Sequence, residues 1–284
     1  MKNILVLTDF SDNAVAAAEA GLLLAGKMHT DLILFNTYIN YETIASYGGG
    51  GWIVDEFTAR KNRSDAGLAM LTEGLEALSA QLPPGDRKPA IYSQSDDSDL
   101  GLDVADLLAT RNVELVLMGA RSDSKNDFMF GEDTNAVIKH SVRPVLITPA
   151  GTQLQEVHKI IFATDFEPAD IKAIRYLCKL GELLNCKLEI VHINDPDKKT
   201  LTEKELAFDR HLAEIKYTGL QYHKVNGKDI VGRLNRLVNH APGTILAMVH
   251  VHHSFLLRLF EHSQVRAAMA HQKTPLLVFP SNMA

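Results

Sequence analysis

An internal duplication limits what this chain can fold into more than any other feature. The opening run Ile4-Leu5-Val6-Leu7-Thr8-Asp9-Phe10 returns as Ile160-Ile161-Phe162-Ala163-Thr164-Asp165-Phe166. At the same offset Leu32-Ile33-Leu34-Phe35 maps onto Leu188-Glu189-Ile190-Val191. Near the end of each half, Arg143-Pro144-Val145-Leu146-Ile147 is echoed by Thr274-Pro275-Leu276-Leu277-Val278. The seam falls near Ala150-Gly151-Thr152, so the expected units are residues 1–150 and 151–284. A chain of 284 residues is long enough for two ordinary cores.

Each unit reads as short apolar strands alternating with helical patterns, and a long helix follows the second strand. That alternation calls for a mainly parallel sheet covered by helices on both faces, with right-handed crossovers. In the first unit, Ala14, Ala17, Ala18, Gly21, Leu22 and Ala25 recur at helical spacing after the Asp9 turn. An insert from Tyr41 to Asp55 holds Gly48-Gly49-Gly50-Gly51-Trp52, which has no strand ahead of it and reads as a loop rather than a phosphate cradle. The next helix is expected over about Phe57 to Leu82, stopped by Pro83-Pro84. In the second unit a charged link, Asp195 to Thr200, precedes a helix through Leu206, Leu212 and Ile215, whose Glu203-Lys204 entry reads as a solvated face.

A net charge of −6 with no basic stretch argues against nucleic-acid or acidic-membrane partners. Met1-Lys2-Asn3 runs directly into a strand too short for a signal-peptide core or a membrane span. Cys178 and Cys186 fit neither a disulfide framework nor a zinc knuckle, and read as buried thiols in a reducing cytoplasm.

The stretch richest in chemistry is Gly119 to Asn135. It follows the apolar run Val113 to Met118 and leads into a helical pattern, Ala136-Val137-Ile138-Lys139-His140. Glycine after a strand, then glycine again at the mouth of a helix, lets backbone amides approach a phosphate. Asp96-Asp97-Ser98-Asp99 resembles a metal loop, but it precedes a helix (Val104 to Thr110) and is explained by N-capping.

Taken together, Thr8-Asp9-Phe10-Ser11, Val116-Leu117-Met118-Gly119, Phe130-Gly131, Asn135-Ala136-Val137-Ile138 and Arg143-Pro144-Val145-Leu146-Ile147 resemble the universal stress protein family in its tandem two-domain form. The resemblance implies an α/β fold: two Rossmann-like domains of the adenine nucleotide alpha hydrolase type. Each would be a mainly parallel five-stranded sheet with helices on both faces, and the final strands would pair across a two-fold to make a pseudo-dimer. Homodimers are a further expectation. Family members divide into ATP binders and non-binders. In the binders the aspartate after the first strand serves the adenosine end, while glycine amides and a hydroxyl serve the phosphates. Carried over, the candidate binding residues are Asp9, Phe35, Gly119, Arg121, Ser122, Gly131, Asp133 and Thr134.

Three departures bear on an ATP or AMP ligand here. Ser122 stands where the pattern has its second glycine, adding a Cβ where close approach is wanted. Eight residues separate Ser122 from Gly131, one fewer than the pattern. Glu132-Asp133 replaces the hydroxyl-bearing residue. Two carboxylates in a helix's first turn satisfy the dipole themselves and repel a polyphosphate, with Asp127 adding to them and Arg121 and Lys125 opposing.

Placed on the first unit without gaps, the second has His250, His253 and His262 for Gly119, Ser122 and Gly131, and keeps only Ser263 where Glu132 was. Its nucleotide site is therefore expected to be lost. His250-Val251-His252 puts two imidazoles on one side of an extended segment, so His250, His252 and His262 form a candidate zinc set. The competing reading is imidazoles bonded to backbone, filling the old pocket. No Gly-x-Ser-x-Gly, P-loop lysine or His-Glu-x-x-His appears, and catalysis is not the expectation. The expected role is a cytoplasmic, non-catalytic binding or regulatory module with an altered nucleotide site in the first half. The alternatives are an ATP- or AMP-binding protein with slow hydrolysis, and an adaptor with a histidine-rich metal site.

Overall fold

Apolar runs without alternation become strands buried on both faces, and here they form one sheet. A computed structural model describes residues 1–38, 50–120, 132–149, 151–194, 203–227, 230–239, 243–250 and 274–283. The chain runs β1 (Asn3–Leu7), α1 (Asp12–Met28), β2 (Asp31–Thr37), α2 (Gly50–Ser79), β3 (Ile91–Asp96), α3 (Leu100–Thr110), β4 (Val113–Gly119), α4 (Glu132–His140) and β5 (Val145–Thr148). After a 3-10 turn at Leu154–Glu156 come β6 (Lys159–Ala163), α5 (Pro168–Leu184), β7 (Lys187–Asn194), α6 (Glu203–Ala213), β8 (Leu220–Asn226), α7 (Ile230–Asn239), β9 (Thr244–His250) and β10 (Leu276–Pro280).

The ten strands among the described residues lie in the order β3-β2-β1-β4-β5-β10-β9-β6-β7-β8. Every neighbouring pair is parallel except β5 with β10, where Ile147, Leu146 and Val145 face Leu276, Leu277 and Val278 antiparallel. The two copies of the Pro-Val/Leu-Leu motif thus pair with each other, and the strand order on one side mirrors the order on the other. The fold is α/β, with helices covering a mostly parallel sheet. Apolar side chains gather into two clusters, one led by Ile4, Leu34, Phe162 and Phe279, the other by Leu5, Phe35, Val116 and Met248. Adjacent residues of one strand fall in different clusters, as the two-residue period of a strand requires. The edge strands β3 and β8 carry polar residues and are only partly buried, which blunts edge pairing.

The backbone repeats the duplication. Among the described residues four that are not glycine have positive φ: Phe10 (64°), His29 (54°), Phe166 (65°) and Asn185 (53°). They form two pairs at one offset, 10 with 166 and 29 with 185. The first pair makes the turn after each opening strand, and the second caps the following helix in the left-handed conformation.

Two helices differ from the sequence expectation. Helix α2 begins at Gly50 and ends at Ser79, rather than spanning about Phe57 to Leu82. The residue before a proline is disfavoured in the helical region, so Pro83-Pro84 moves the end back. No proline opposes the start, and a glycine at a helix end avoids much of the roughly 1 kcal/mol that it costs inside one. Tyr41 to Gly49, the rest of the glycine insert up to that start, lies outside the described residues. Helix α6 stops at Ala213, short of Ile215, and the link Asp195 to Thr200 is also outside the described residues. Cys178 and Cys186 are both free and buried, and burial pushes each thiol up to about 11.

Candidate functional site

Strands β1, β2 and β4 are parallel neighbours, so their carboxyl ends reach the same side of the sheet. The order reverses at β1, and ligands of open α/β sheets bind at such a switch point. Leu7 to Asp9, Phe35 to Thr37 and Met118 to Ala120 line a cavity of about 490 Å³ there, closed by Ser98 at the entrance of α3 and by Asp133 and Thr134 of α4. That volume lies within the usual range of small-molecule sites.

Local hydrogen bonds hold the β1 turn. The Phe10 amide donates to Thr8 Oγ1 at 3.0 Å, which supports the left-handed backbone of Phe10. Asp9 Oδ1 accepts from the Ser11 amide at 3.0 Å and from Ser11 Oγ at 2.5 Å, and Ser11 caps α1. Asn36 Nδ2 donates to the Thr8 carbonyl at 2.7 Å, and Asn36 Oδ1 accepts from Ser64 Oγ at 2.5 Å. The crevice floor is therefore preorganised before any ligand arrives.

The charges of its described lining residues are one-sided. Asp9, Asp97, Asp99 and Asp133 line the cavity, and no Lys, Arg or His is among the described lining residues. Asp99 caps α3, accepting from the amides of Gly101 at 2.9 Å and Leu102 at 3.1 Å, as expected of that acidic run. Glu132 and Asp133 occupy the first turn of α4, where they answer the positive end of its dipole. Beneath the α3 entrance, Ser98 Oγ donates to Asp103 Oδ1; burial raises the carboxyl of Asp103 above the ordinary aspartate range.

Gly119 has a structural reason to be glycine. A Cβ there would lie 2.6 Å from the backbone carbon and oxygen of Asn13 and 2.7 Å from the Ala14 nitrogen. The first turn of α1 packs directly on the end of β4, and Asn13 Nδ2 donates to the Ala120 carbonyl at 2.5 Å. Close approach of protein backbone accounts for this glycine without a phosphate.

The structure brings five of the sequence candidates into one cavity: Asp9, Phe35, Gly119, Asp133 and Thr134. Arg121, Ser122 and Gly131 lie outside the described residues, as do Lys125 and Asp127. Asn36 also lines the crevice and was not singled out by sequence, since a single Asn at a strand end carries no motif; Asp97, Ser98 and Asp99, read in sequence only as part of a helix cap, line it too.

The twin crevice is furnished differently. His192 occupies the place of Asn36, and its Nδ1 donates to the Thr164 carbonyl at 2.9 Å. The Phe166 ring stacks on His192 with centroids 4.0 Å apart and meets Phe208 at 5.2 Å. Lys204 Nζ sits 2.6 Å from Glu167 Oε1, so the α6 entrance that read as a solvated face reaches back to the β6 turn. Lys204 is exposed and Glu167 half-buried, and a pair so open to solvent contributes little to stability. Burial and the neighbouring Glu167 raise the carboxyl of Asp165. Of the candidate zinc ligands only His250, the last residue of β9, is described; His252, His253 and His262 lie outside the described residues. Among the described residues no three metal-binding side chains converge, and no helix is long and apolar enough to cross a membrane.

Comparison with known proteins gives a sequence match between residues 1–149 and the universal stress protein family. A universal stress protein from Archaeoglobus fulgidus DSM 4304 superposes with a TM-score of 0.63 at 17% identity, covering 98% of this chain and 96% of its own. A functionally unknown protein from Pseudomonas aeruginosa PAO1 superposes with a TM-score of 0.58 at 14% identity, covering 99% and 92%. At these identities the likeness speaks to fold alone. No curated protein sequence matches the chain.

Proposed function

The chain belongs to the universal stress protein family, and on that premise we propose that it is a tandem member acting as a non-catalytic binding or regulatory module in the cytoplasm. One family unit covers residues 1–150 and the second 151–284, joined through the β5–β10 pairing into a pseudo-dimer. The crevice of the first unit is an adenosine-sized site altered at its phosphate end. Asp9 and Phe35 serve the nucleoside, while Gly119, Asp133 and Thr134, with Arg121, Ser122 and Gly131, surround the former phosphate end. The second unit binds no nucleotide in this reading, because His250 and His262 stand where the first unit has Gly119 and Gly131, and the Phe166 ring stacks on His192 beside the β6 turn.

One observation carries this reading: four carboxylates line the first crevice, with no cation among the described lining residues. A like charge at ~4 Å costs about 1 kcal/mol in water and several times that where water is partly excluded. A nucleoside brings no charge into that field. Each added phosphate brings more, and the first turn of α4, which otherwise attracts anions, already carries two carboxylates. The polyphosphate does not fit the described residues; the nucleoside does.

Calorimetric titration tests this directly. Adenosine is expected to bind saturably, and ATP in the absence of divalent cations about tenfold or more weaker, a difference of about 1.4 kcal/mol or more. Asp9→Ala should weaken adenosine binding. ATP binding tightly without a bridging cation and outcompeting adenosine would overturn the reading, as would silence toward adenosine.

A further inference from the structure

A second cavity, of about 440 Å³, lies at the opposite ends of the same strands, where the two halves of the chain meet. It opens between the start of β1, the end of α1 and the outer face of α5. Its charge is the reverse of the first. Lys2, Lys172, Arg175 and Lys179 line it against one carboxylate, Glu114, in a chain whose net charge is −6. Lys172, Arg175 and Lys179 are three and then four residues apart, which aligns them along one face of α5. The adjoining stripe of the same helix, Tyr176, Leu180 and Leu183, supplies an apolar floor, extended by Met28 from α1.

Some of this positive charge is already answered. Lys2 Nζ is 3.0 Å from Glu114 Oε1, and Lys172 Nζ donates to the Met283 carbonyl at 3.2 Å. Arg175 and Lys179 are exposed and have no hydrogen-bond or ion-pair partner among the described residues. Two residues of the lining also carry buried hydroxyls. Thr30 is 1% exposed, lines the cavity, and its buried Oγ1 has no hydrogen-bond partner among the described residues. Tyr176 also lines the cavity, and its buried Oη likewise has no partner. Orphaned buried hydroxyls are uncommon, and each calls for an explanation such as an absent ligand. Burial raises the Tyr176 phenol, so it remains a donor at neutral pH.

We propose that this inter-half cavity is a binding site for an organic oxyanion with an apolar body, its charged group held by Arg175 and Lys179 with the Thr30 and Tyr176 hydroxyls, and its apolar part on Leu180, Leu183 and Met28. An inorganic anion would leave the apolar floor uncovered, and a neutral apolar ligand would leave two cations and two hydroxyls unanswered. The site draws on both halves, because Lys2, Thr30 and Glu114 come from the first and α5 from the second. Its occupancy therefore reports on, and stabilises, the joined arrangement.

The test uses the full chain and the anilinonaphthalene sulfonate dye, which combines an aromatic body with one oxyanion. Fluorescence titration is expected to show one saturable site, displaced by octanoate and not by adenosine. The double variant Arg175→Glu with Lys179→Glu should weaken the dye at least tenfold while leaving the melting profile intact, since both side chains are exposed. Thr30→Val should also weaken it without loss of stability, because it removes a hydroxyl that has no partner to lose. Raising salt to roughly half-molar should weaken binding through screening. Dye binding that survives charge reversal and salt would mark a generic apolar patch and overturn the proposal. Absence of any saturable site would do the same.

Discussion

Gly119→Ala is expected to destabilise the protein by about 3 kcal/mol, at the upper end of ordinary overpacking. The added methyl would sit 2.6 Å from the Asn13 backbone, which cannot swing aside as a flexible side chain does. Either the first turn of α1 lifts off β4, breaking the bond from Asn13 Nδ2 to the Ala120 carbonyl, or the end of β4 shifts within the sheet. Gly74→Ala makes an internal control. Gly74 is exposed within α2, and a Cβ there meets nothing within 4 Å. That variant should gain up to about 1 kcal/mol, because alanine loses less backbone entropy in a helix. Denaturant melts of the two variants should move in opposite directions. Equal midpoints for Gly119→Ala and the parent chain would remove the packing account of this residue.

The result also bears on function. If Gly119 served only to admit a phosphate, the methyl would cost binding and leave stability alone. If it serves helix packing, stability falls first. The position thus separates a packing role for this glycine from a ligand-binding one.

Much of this molecule was legible in its residues. The recurrence of Thr-Asp-Phe after two apolar runs placed both opening strands, and its offset reappears in the left-handed backbone of Phe10 and Phe166. The repeated Pro-Val-Leu and Pro-Leu-Leu segments marked the strands that pair across the halves. Five candidate residues converge because Asp9, Phe35 and Gly119 sit at or just past the carboxyl ends of parallel neighbours and Asp133 and Thr134 open the helix that faces them. The start of α2 was not legible, because a run of glycines signals a loop locally while the helix behind it is extended by cooperative propagation. Lys204 was read as solvated because its partner, Glu167, is distant in sequence and arrives only through the packing of α6 over the β6 turn. The second cavity was invisible for the same reason: Lys2, Thr30 and Arg175 share no motif and meet only when β5 pairs with β10.

Asp170 should make the protein less stable as pH rises from about 4 to about 7, and Asp170→Asn should remove that contribution to the slope. Asp170 is 1% exposed at the start of α5, where it answers the Glu167 cap. Its Oδ2 accepts from Thr164 Oγ1 at 2.6 Å and from the Glu167 amide at 3.2 Å. Burial raises its carboxyl to about 7, with nearby Asp165 and Glu167 adding to the effect and those two hydrogen bonds opposing it. In the unfolded chain an aspartate titrates near the ordinary value of about 3.9. Between the two values the native state holds a proton that the unfolded chain has released, so each rise in pH favours unfolding. The stabilisation is complete below the unfolded value and gone once pH passes about 7. Between pH 5 and 8 the loss amounts to about 2 to 3 kcal/mol. Asparagine keeps an acceptor for Thr164 and Glu167 and cannot ionise, so the variant should be the more stable protein at pH 8 and no better at pH 4. Urea midpoints of parent and variant across that range measure the difference directly, and changes shared by other titrating groups cancel in it. A constant offset between the two curves would show that Asp170 is ionised in the folded protein throughout. Its burial beneath the β6 turn would then have to be offset by Lys204, which salt-dependent melts of Lys204→Ala would reveal.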